Sequence, residues 1–319
     1  MKILGTGSSL PQKIVSNDDL AQVMDTSDEW ISSRTGIRNR HIAVEETTTS
    51  MSVDAAKKAL ADAAVAAEEI DLIIAATVSS DYIFPTLACE VQAAIGAVNA
   101  TAFDIGAGCS GFLFALATAD AYFATGQCRK ALILGAETLS KMMDWSDRST
   151  CVLFGDGAGA AVLSAEGGQL LSMVQGSDGS GGMALKCENR PVRNLYRQGA
   201  LAHYAFTEMN GSEVYKFAVR TVPKAISEAL NKANVSEDEV SIYLLHQANL
   251  RIIESVAKRL HQPMEKFPTN LEECGNVSAA SVPILLDKVR KDGMIGKGDK
   301  IVLAGFGAGL TWGACVIEW

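Results

Sequence analysis

The sequence predicts an α/β protein in which mainly parallel sheets are covered by helices, built as two similar halves. Short apolar runs such as "DLIIAAT", "RKALILG", "SIYLLH" and "DKIVLAG" alternate with amphipathic segments, the pattern of sheets whose crossovers are helices. The segment Lys58 to Thr77 ("KALADAAVAAEEIDLIIAAT") returns 170 residues later as Glu228 to Gln247 ("EALNKANVSEDEVSIYLLHQ"), with Ala59 matching Ala229, Leu60 Leu230, Ala63 Ala233, Val65 Val235 and Glu69 Glu239. At the same offset "KALILGA" (Lys130 to Ala136) faces "KIVLAGF" (Lys300 to Phe306), each an apolar strand running into glycine. Two matches at one spacing indicate a duplicated unit.

Taken in order, "TAFDI" (Thr101 to Ile105) reads as a short buried strand. It leads into a helix on which Phe112, Leu113, Leu116 and Ala117 recur at helical spacing until Gly126. Each half ends on a Gly-rich apolar segment, "FGDGAGAAVLS" (Phe154 to Ser164) and "GAGLTWGACVIEW" (Gly307 to Trp319), read as closing strands. The halves are expected to be residues 1–170 and 171–319, sharing an interface, since no Pro-, Ser- or charge-rich linker parts them. Gly167 to Ala205 lacks periodicity and reads as a long excursion or flap. In "CGNVSAASVPILLDKV" Pro283 falls inside a helical pattern, so that helix starts later than Ser278 or is kinked.

Bulk properties narrow the function. The net charge of -9 argues against a nucleic-acid binder, and 48% hydrophobic residues describe a chain with a full core. Seven cysteines, at 89, 109, 128, 151, 187, 274 and 315, form no C-x-x-C pair and suit a reducing compartment. Histidines 41, 203, 246 and 261 lack metal-ligand spacing, so no metal is expected. Met1 to Pro11 does not read as a signal peptide, and no apolar run is long enough to span a bilayer; the expected location is the cytoplasm.

Three polar residues fall beside strand ends or turns. Cys109, flanked by Gly106, Gly108 and Gly111, stands where a strand hands over to a helix, and the helix dipole and free N–H groups there favour a thiolate. The segment alone is equally compatible with a small buried cysteine among packing glycines. His246 follows the strand "SIYLL" and precedes a helix, and Asn276 follows Gly275 before the next one. In α/β sheets ligands collect beyond the carboxyl ends of strands, so corresponding edges packed together would bring the three to one mouth. "LAGFGAGLTWG" (Leu303 to Gly313) has G-x-G-x-G spacing, neither a dinucleotide fingerprint nor a phosphate loop, but suited to bringing backbone N–H groups up to a reacting carbonyl.

With "TSDEWISSRTGIRNRHI" (Thr26 to Ile42), "DRSTCVLFGDGAGAAVL" (Asp147 to Leu163), "HQANLRII" and "GNVSAASVP", these stretches resemble the β-ketoacyl-[acyl-carrier-protein] synthase III family of condensing enzymes along the whole chain. The resemblance implies a thiolase-like fold, two βαβαβαββ halves in a five-layer αβαβα sandwich, and a homodimer. It implies an acyltransferase in which Cys109 takes an acyl group from acyl-CoA, chiefly acetyl-CoA. Malonyl-acyl-carrier protein is then decarboxylated and joined, with His246 and Asn276 completing the triad and the N–H groups of Cys109 and Ala308 forming the oxyanion hole. CoA is a substrate and no cofactor is implied.

By the same resemblance Thr26, Trp30, Arg34, Arg148, Asn249 and Arg251 bind CoA, with its adenine between Trp30 and Arg148. Leu139, Phe154 and the partner subunit's Phe84 shape the primer pocket, and Lys216, Arg251, Lys258 and Arg259 dock the carrier protein. The chain departs from the family pattern at Gly108 and Ser110, where alanines are common, at Ala308, where glycine is usual, and at Ser212, which replaces a common asparagine. A related synthase that acylates a small molecule or polyketide precursor would share the constellation. So would a non-catalytic binding protein on the same scaffold, while a papain-like hydrolase would need an N-terminal cysteine signature that is missing here.

Overall fold

The computed structural model describes residues 1–192, 194–197 and 205–319. The first half contributes β1 (Lys2–Ser9), α1 (Asp28–Thr35), α2 (Thr48–Ala63), β2 (Leu72–Ala76), α3 (Leu87–Ile95), β3 (Thr101–Ile105), α4 (Gly111–Ala124), β4 (Lys130–Thr138) and β5 (Asp156–Ser164). The second contributes β6 (Leu170–Ser177), α5 (Gly211–Ala233), β7 (Val240–Leu245), α6 (Leu250–Arg259), α7 (Ser281–Lys291), β8 (Lys300–Gly307) and β9 (Thr311–Glu318). One sheet runs β1-β5-β4-β2-β3 and the other β7-β8-β9-β6. Parallel pairing joins β2 to β3 and β4, and β7 to β8; the remaining pairs are antiparallel.

The alternation of side chains along these strands builds five layers. Leu72 and Ile74 face inward onto α4 and α7, whose Leu113, Leu116, Leu285 and Leu286 also meet Ile242, Leu244 and Leu303 of the second sheet. Ile73 and Ala75 face outward onto α2 and α3, while Tyr243 and Leu245 face α5 and α6. Strands covered on both faces explain the unbroken apolar runs of the sequence. For the same reason α4 is apolar nearly all round, as a helix between two sheets must be.

The 170-residue echo persists to single interactions. Both α2 and α5 end on a left-handed residue, Ala64 at φ 51° and Asn234 at φ 54°. Glu69 accepts the Ala66 N–H at 3.0 Å and pairs with Lys130; Glu239 accepts the Ser236 N–H at 2.8 Å and pairs with Lys300 at 2.6 Å.

Two sequence expectations are corrected. The aperiodic stretch from Gly167 contains β6, an edge strand whose single neighbour β9 imposes little hydrophobic pattern; within Gly167–Ala205, residues 193 and 198–204 lie outside the described residues, and so does His203. The strand Thr101–Ile105 is only half-buried, because it forms the free edge of the first sheet. Among the described residues the second sheet has four strands, one fewer than the first, with no counterpart of β3. Around Pro283 the first of the two expected outcomes holds: a 3-10 turn covers Ser278–Ala280 and α7 starts at Ser281, later than Ser278, so the proline occupies the first turn, where its missing N–H has no partner to lose.

The two halves meet backbone to backbone. A Cβ on Gly135 of β4 would lie 2.1 Å from the Ala279 carbonyl oxygen, and one on Gly159 of β5 would lie 2.7 Å from the Ile284 nitrogen. Gly135→Ala is therefore expected to destabilise the protein by about 3 kcal/mol or more, read as a lower urea midpoint; an unchanged midpoint would show that this contact yields freely.

Candidate active site

Cys109 lies in the 3-10 turn Gly108–Ser110 between β3 and α4. The Gly-rich loop after β8 is pressed onto it: a Cβ on Gly307 would fall 2.5 Å from the Cys109 nitrogen and 2.9 Å from its Cβ. Thr311 Oγ1 fastens loop to turn, lying 2.9 Å from the Ala107 carbonyl, 3.0 Å from the Ala308 carbonyl and 2.6 Å from Ser110 Oγ. Ala308 thus stands beside the cysteine turn, with its nitrogen 2.9 Å from where a Gly108 Cβ would be.

His246 extends β7, its N–H donating to the Ala304 carbonyl at 2.8 Å, and its ring packs edge-on against Phe306 with centroids 5.3 Å apart. Its Nδ1 is buried without a hydrogen-bond partner, and burial pushes the imidazole down to a pKa of about 3, so it is neutral. Asn276 is clamped through its backbone, donating to the Leu153 carbonyl at 2.9 Å and accepting from Gly155 at 3.0 Å. Its Oδ1 accepts the Ser278 N–H at 2.9 Å. That bond fixes the amide and leaves its NH2 as the outward donor.

Electrostatics at the sulfur differ from the sequence expectation. Burial pushes the Cys109 thiol up to about 11, overriding the opposing pull of Ser278 and of the cysteine's own backbone N–H. Behind this pair lies Glu137, at the end of β4, which sequence reading missed. It is 0% exposed and pushed up to about 7 by burial, against hydrogen bonds from Ser79, Val78, Ser278 and Thr77. An apolar strand ending "GAET", with a charge at a carboxyl end, was the available signal.

The CoA-assigned residues gather on one face where the halves adjoin. Asn249 Nδ2 donates to the Arg34 carbonyl at 3.0 Å and Arg251 Nη2 to the Ser33 carbonyl at 2.7 Å, tying α6 to α1. Arg34 and Arg148 both lie over the Trp30 ring, at 4.7 and 5.0 Å from its centroid, and Arg148 also pairs with Asp25. A base between Trp30 and Arg148 therefore requires Arg148 to move. Thr26 Oγ1 is buried nearby without a partner.

Leu139 and Phe154 share one apolar cluster with Cys151 and Leu271, whereas Phe84, 83% exposed, stands outside it. Lys216, Lys258 and Arg259 are exposed and have no acidic partner within ion-pair distance among the described residues. Arg220, Lys224 and Arg259 line a shallow groove between α5 and α6.

Family models of 3-oxoacyl-[acyl-carrier-protein] synthase III match residues 103–179, and of its C-terminal part residues 230–319. A β-ketoacyl-[acyl-carrier-protein] synthase III of Clostridium acetobutylicum is 45% identical over 322 residues, spanning 100% of this chain and 98% of its own length. The chain belongs to the 3-oxoacyl-[acyl-carrier-protein] synthase III family. The solved synthase III of Aquifex aeolicus matches it with TM-score 0.93 at 45% identity, covering 100% of this chain and 99% of that one. The priming β-ketosynthase of the R1128 polyketide pathway matches with the same TM-score at 35% identity, covering 99% and 95%. The fold is the synthase III fold, and the protein is an acyltransferase of that family.

Two departures from the synthase III pattern compensate each other. Gly108 leaves out a Cβ that would be 3.2 Å from the Cβ of Ala308, so the methyl group lost on one side of the contact reappears on the other. Ser110 puts its hydroxyl to use on Thr311.

Glu137 links the site to stability. Folded, it keeps its proton to about pH 7; unfolded, it loses it near about pH 4.3. The folded state binds the extra proton between these values, so this group's contribution is most favourable below the window and is lost as pH rises through 7. The fall in stability from about pH 5 to about pH 8 is expected to be smaller in Glu137→Gln by roughly 3 kcal/mol, measured by chemical denaturation at each pH. Equal falls in variant and wild type would show that Glu137 titrates normally.

Proposed function

We propose that this synthase III catalyses the initiating condensation of type II fatty-acid synthesis. Acyl-CoA, chiefly acetyl-CoA, acylates Cys109 and CoA leaves; malonyl-acyl-carrier protein then loses carbon dioxide and its carbanion takes the acyl group, giving 3-oxoacyl-acyl-carrier protein. The observation that carries the reading is that the Cys109 turn is pressed by the Gly307–Ala308 loop on one side and by the Ser278–Ala280 turn, two residues past Asn276, on the other.

Each group has a role its chemistry allows. A thiolate attacks a thioester readily and later leaves readily, so the acyl-enzyme turns over. The N–H groups of Cys109 and Ala308 bind the tetrahedral oxyanion, each donor worth about 3 kcal/mol in comparable sites. Decarboxylation needs no strong base; it needs donors where enolate charge develops. Neutral His246 and the Asn276 NH2 supply them without placing an anion against the enolate. The reaction so written draws on no cofactor.

Trp30, Arg34, Arg148, Arg251, Asn249 and Thr26 hold CoA in this reading, Arg148 swinging off Trp30 to admit the adenine. Leu139 and Phe154 end the primer pocket, and the partner's Phe84 completes it across a homodimer. The free edge of β3 and the exposed Val78, Tyr82, Ile83 and Phe84 beside it support that dimer, since an unpaired apolar sheet edge invites a second copy. The basic stripe of Lys216, Arg251, Lys258 and Arg259 takes the acidic carrier protein. The chain is divided functionally near residue 170, the first half bringing the nucleophile and the second the donors. Seven free cysteines and the absence, among the described residues, of a helix able to cross a membrane accord with a cytoplasmic enzyme.

Two outcomes test this. Cys109→Ala is expected to lose acylation by acetyl-CoA, seen by intact mass, while keeping measurable malonyl decarboxylation through His246 and Asn276; equal loss of both in folded protein would count against the division of labour. Reversing Lys216, Lys258 and Arg259 to glutamate is expected to cut turnover with malonyl-carrier protein by a factor of ten or more, with turnover on free malonyl-CoA preserved. Retained carrier turnover would show that this stripe is not the docking surface.

A further inference from the structure

We infer that Gln247 is a positioning residue for the condensation: its side chain sets the spacing between the strand end that carries His246 and the turn that carries Asn276. The inference rests on the reading, proposed above, that these two side chains act together on malonyl-carrier protein. Gln247 follows His246 directly and is 1% exposed. Its Nε2 donates to the Leu245 carbonyl at 2.8 Å, and its Oε1 accepts the Asn270 N–H at 3.2 Å. A backbone carbonyl can only accept and a backbone N–H can only donate, so the amide has a single orientation.

Both catalytic candidates are placed by their main chain. The His246 Nδ1 is buried without a partner; the ring packs on Phe306, and the His246 N–H donates to the Ala304 carbonyl at 2.8 Å. Ala304 lies on β8 just before Gly305 and Gly307, the glycines set against the cysteine turn, so β8 registers the end of β7 against Cys109. On the other side the Asn270 carbonyl accepts from Glu273 at 3.2 Å and from Cys274 at 3.0 Å, and the Leu271 carbonyl from Gly275 at 3.0 Å. Residues 270–275 are thereby one compact turn, and Asn276 follows it, held beyond by Leu153 and Gly155.

The Gln247 side chain joins these two pieces. Among the described residues, its bond to Asn270 is the one hydrogen bond between residues 245–249 and residues 268–277. Asn270 is itself buried, so without Gln247 its N–H would be left unpaired and the turn would shift to satisfy it. A shift of about 1 Å at a reacting centre can cost about 100-fold in rate.

The consequence falls on one half of the reaction. Acylation draws on Cys109 and on the N–H groups of Cys109 and Ala308, in a turn and loop fastened by Thr311 and not by Gln247. Decarboxylation draws on His246 and Asn276 together, and it is their separation that Gln247 fixes.

Measuring the two half-reactions separately distinguishes positioning from a general structural role. Gln247→Met keeps the length of the side chain and removes both bonds. Its kcat for carbon dioxide release from malonyl-carrier protein is expected to fall by about 10-fold to about 100-fold, with KM within about twofold of wild type. Single-turnover acylation by acetyl-CoA, followed by intact mass, is expected to stay within about twofold of wild type. Gln247→Glu keeps an acceptor for Asn270 and loses the donor to Leu245; it is expected to show the same split with a smaller loss, and it serves as the test if Gln247→Met does not fold. A folded variant whose carbon dioxide release is unchanged, or falls no more than its acylation, overturns the positioning role. A wild type that neither takes up acetyl groups nor releases carbon dioxide overturns the proposed function, and this inference with it.

Discussion

The site depends on a contact that has no room for a side chain: the backbone of Gly307 against the backbone of Cys109. A single methyl group at Gly307 would overlap the cysteine nitrogen, so the two halves approach this closely only because that position is glycine. Gly135 against Ala279 and Gly159 against Ile284 repeat the device along the same seam. Between these contacts α4 and α7 fill the space between the sheets, and each starts from a short turn, Cys109 before one and Asn276 before the other. The duplication thus places equivalent turns face to face, and close packing joins them at one seam.

Dryness follows from the same packing, and dryness sets the charges. A helix N-terminus stabilises a nearby anion by at most about 2 kcal/mol, whereas taking a charge fully out of water costs several. Here burial prevails at every titratable group of the site: thiol up, imidazole down, carboxylate up. All three are neutral or close to it before substrate arrives. Fixed donors in so dry a setting are the condition under which preorganised hydrogen bonds contribute most.

The face carrying Trp30 is also made by the seam. Asn249 and Arg251 of the second half hold the carbonyl groups of Arg34 and Ser33 in the first, so α1 and α6 form one wall. Trp30 on that wall is covered by two guanidinium groups, which shield a large aromatic surface from water. The hydroxyl pair Ser110–Thr311 and the Gly108–Ala308 exchange tighten the inner end of the same seam.

By itself the sequence determined the layers and the candidates: apolar runs at strand length, the 170-residue echo, and Cys109, His246 and Asn276 each beside a strand end or turn. These are local patterns, fixed by which side chains tolerate burial and which turns need glycine. What only the tertiary structure decided is everything that acts between distant segments. The half-buried edge of β3, the strand hidden in an aperiodic stretch, the Arg148–Trp30 stack and the buried Glu137 leave little trace in spacing or composition. Above all, the desolvation that pushes the Cys109 thiol up is a property of what surrounds the group in space, and much of what surrounds it comes from the other half of the chain.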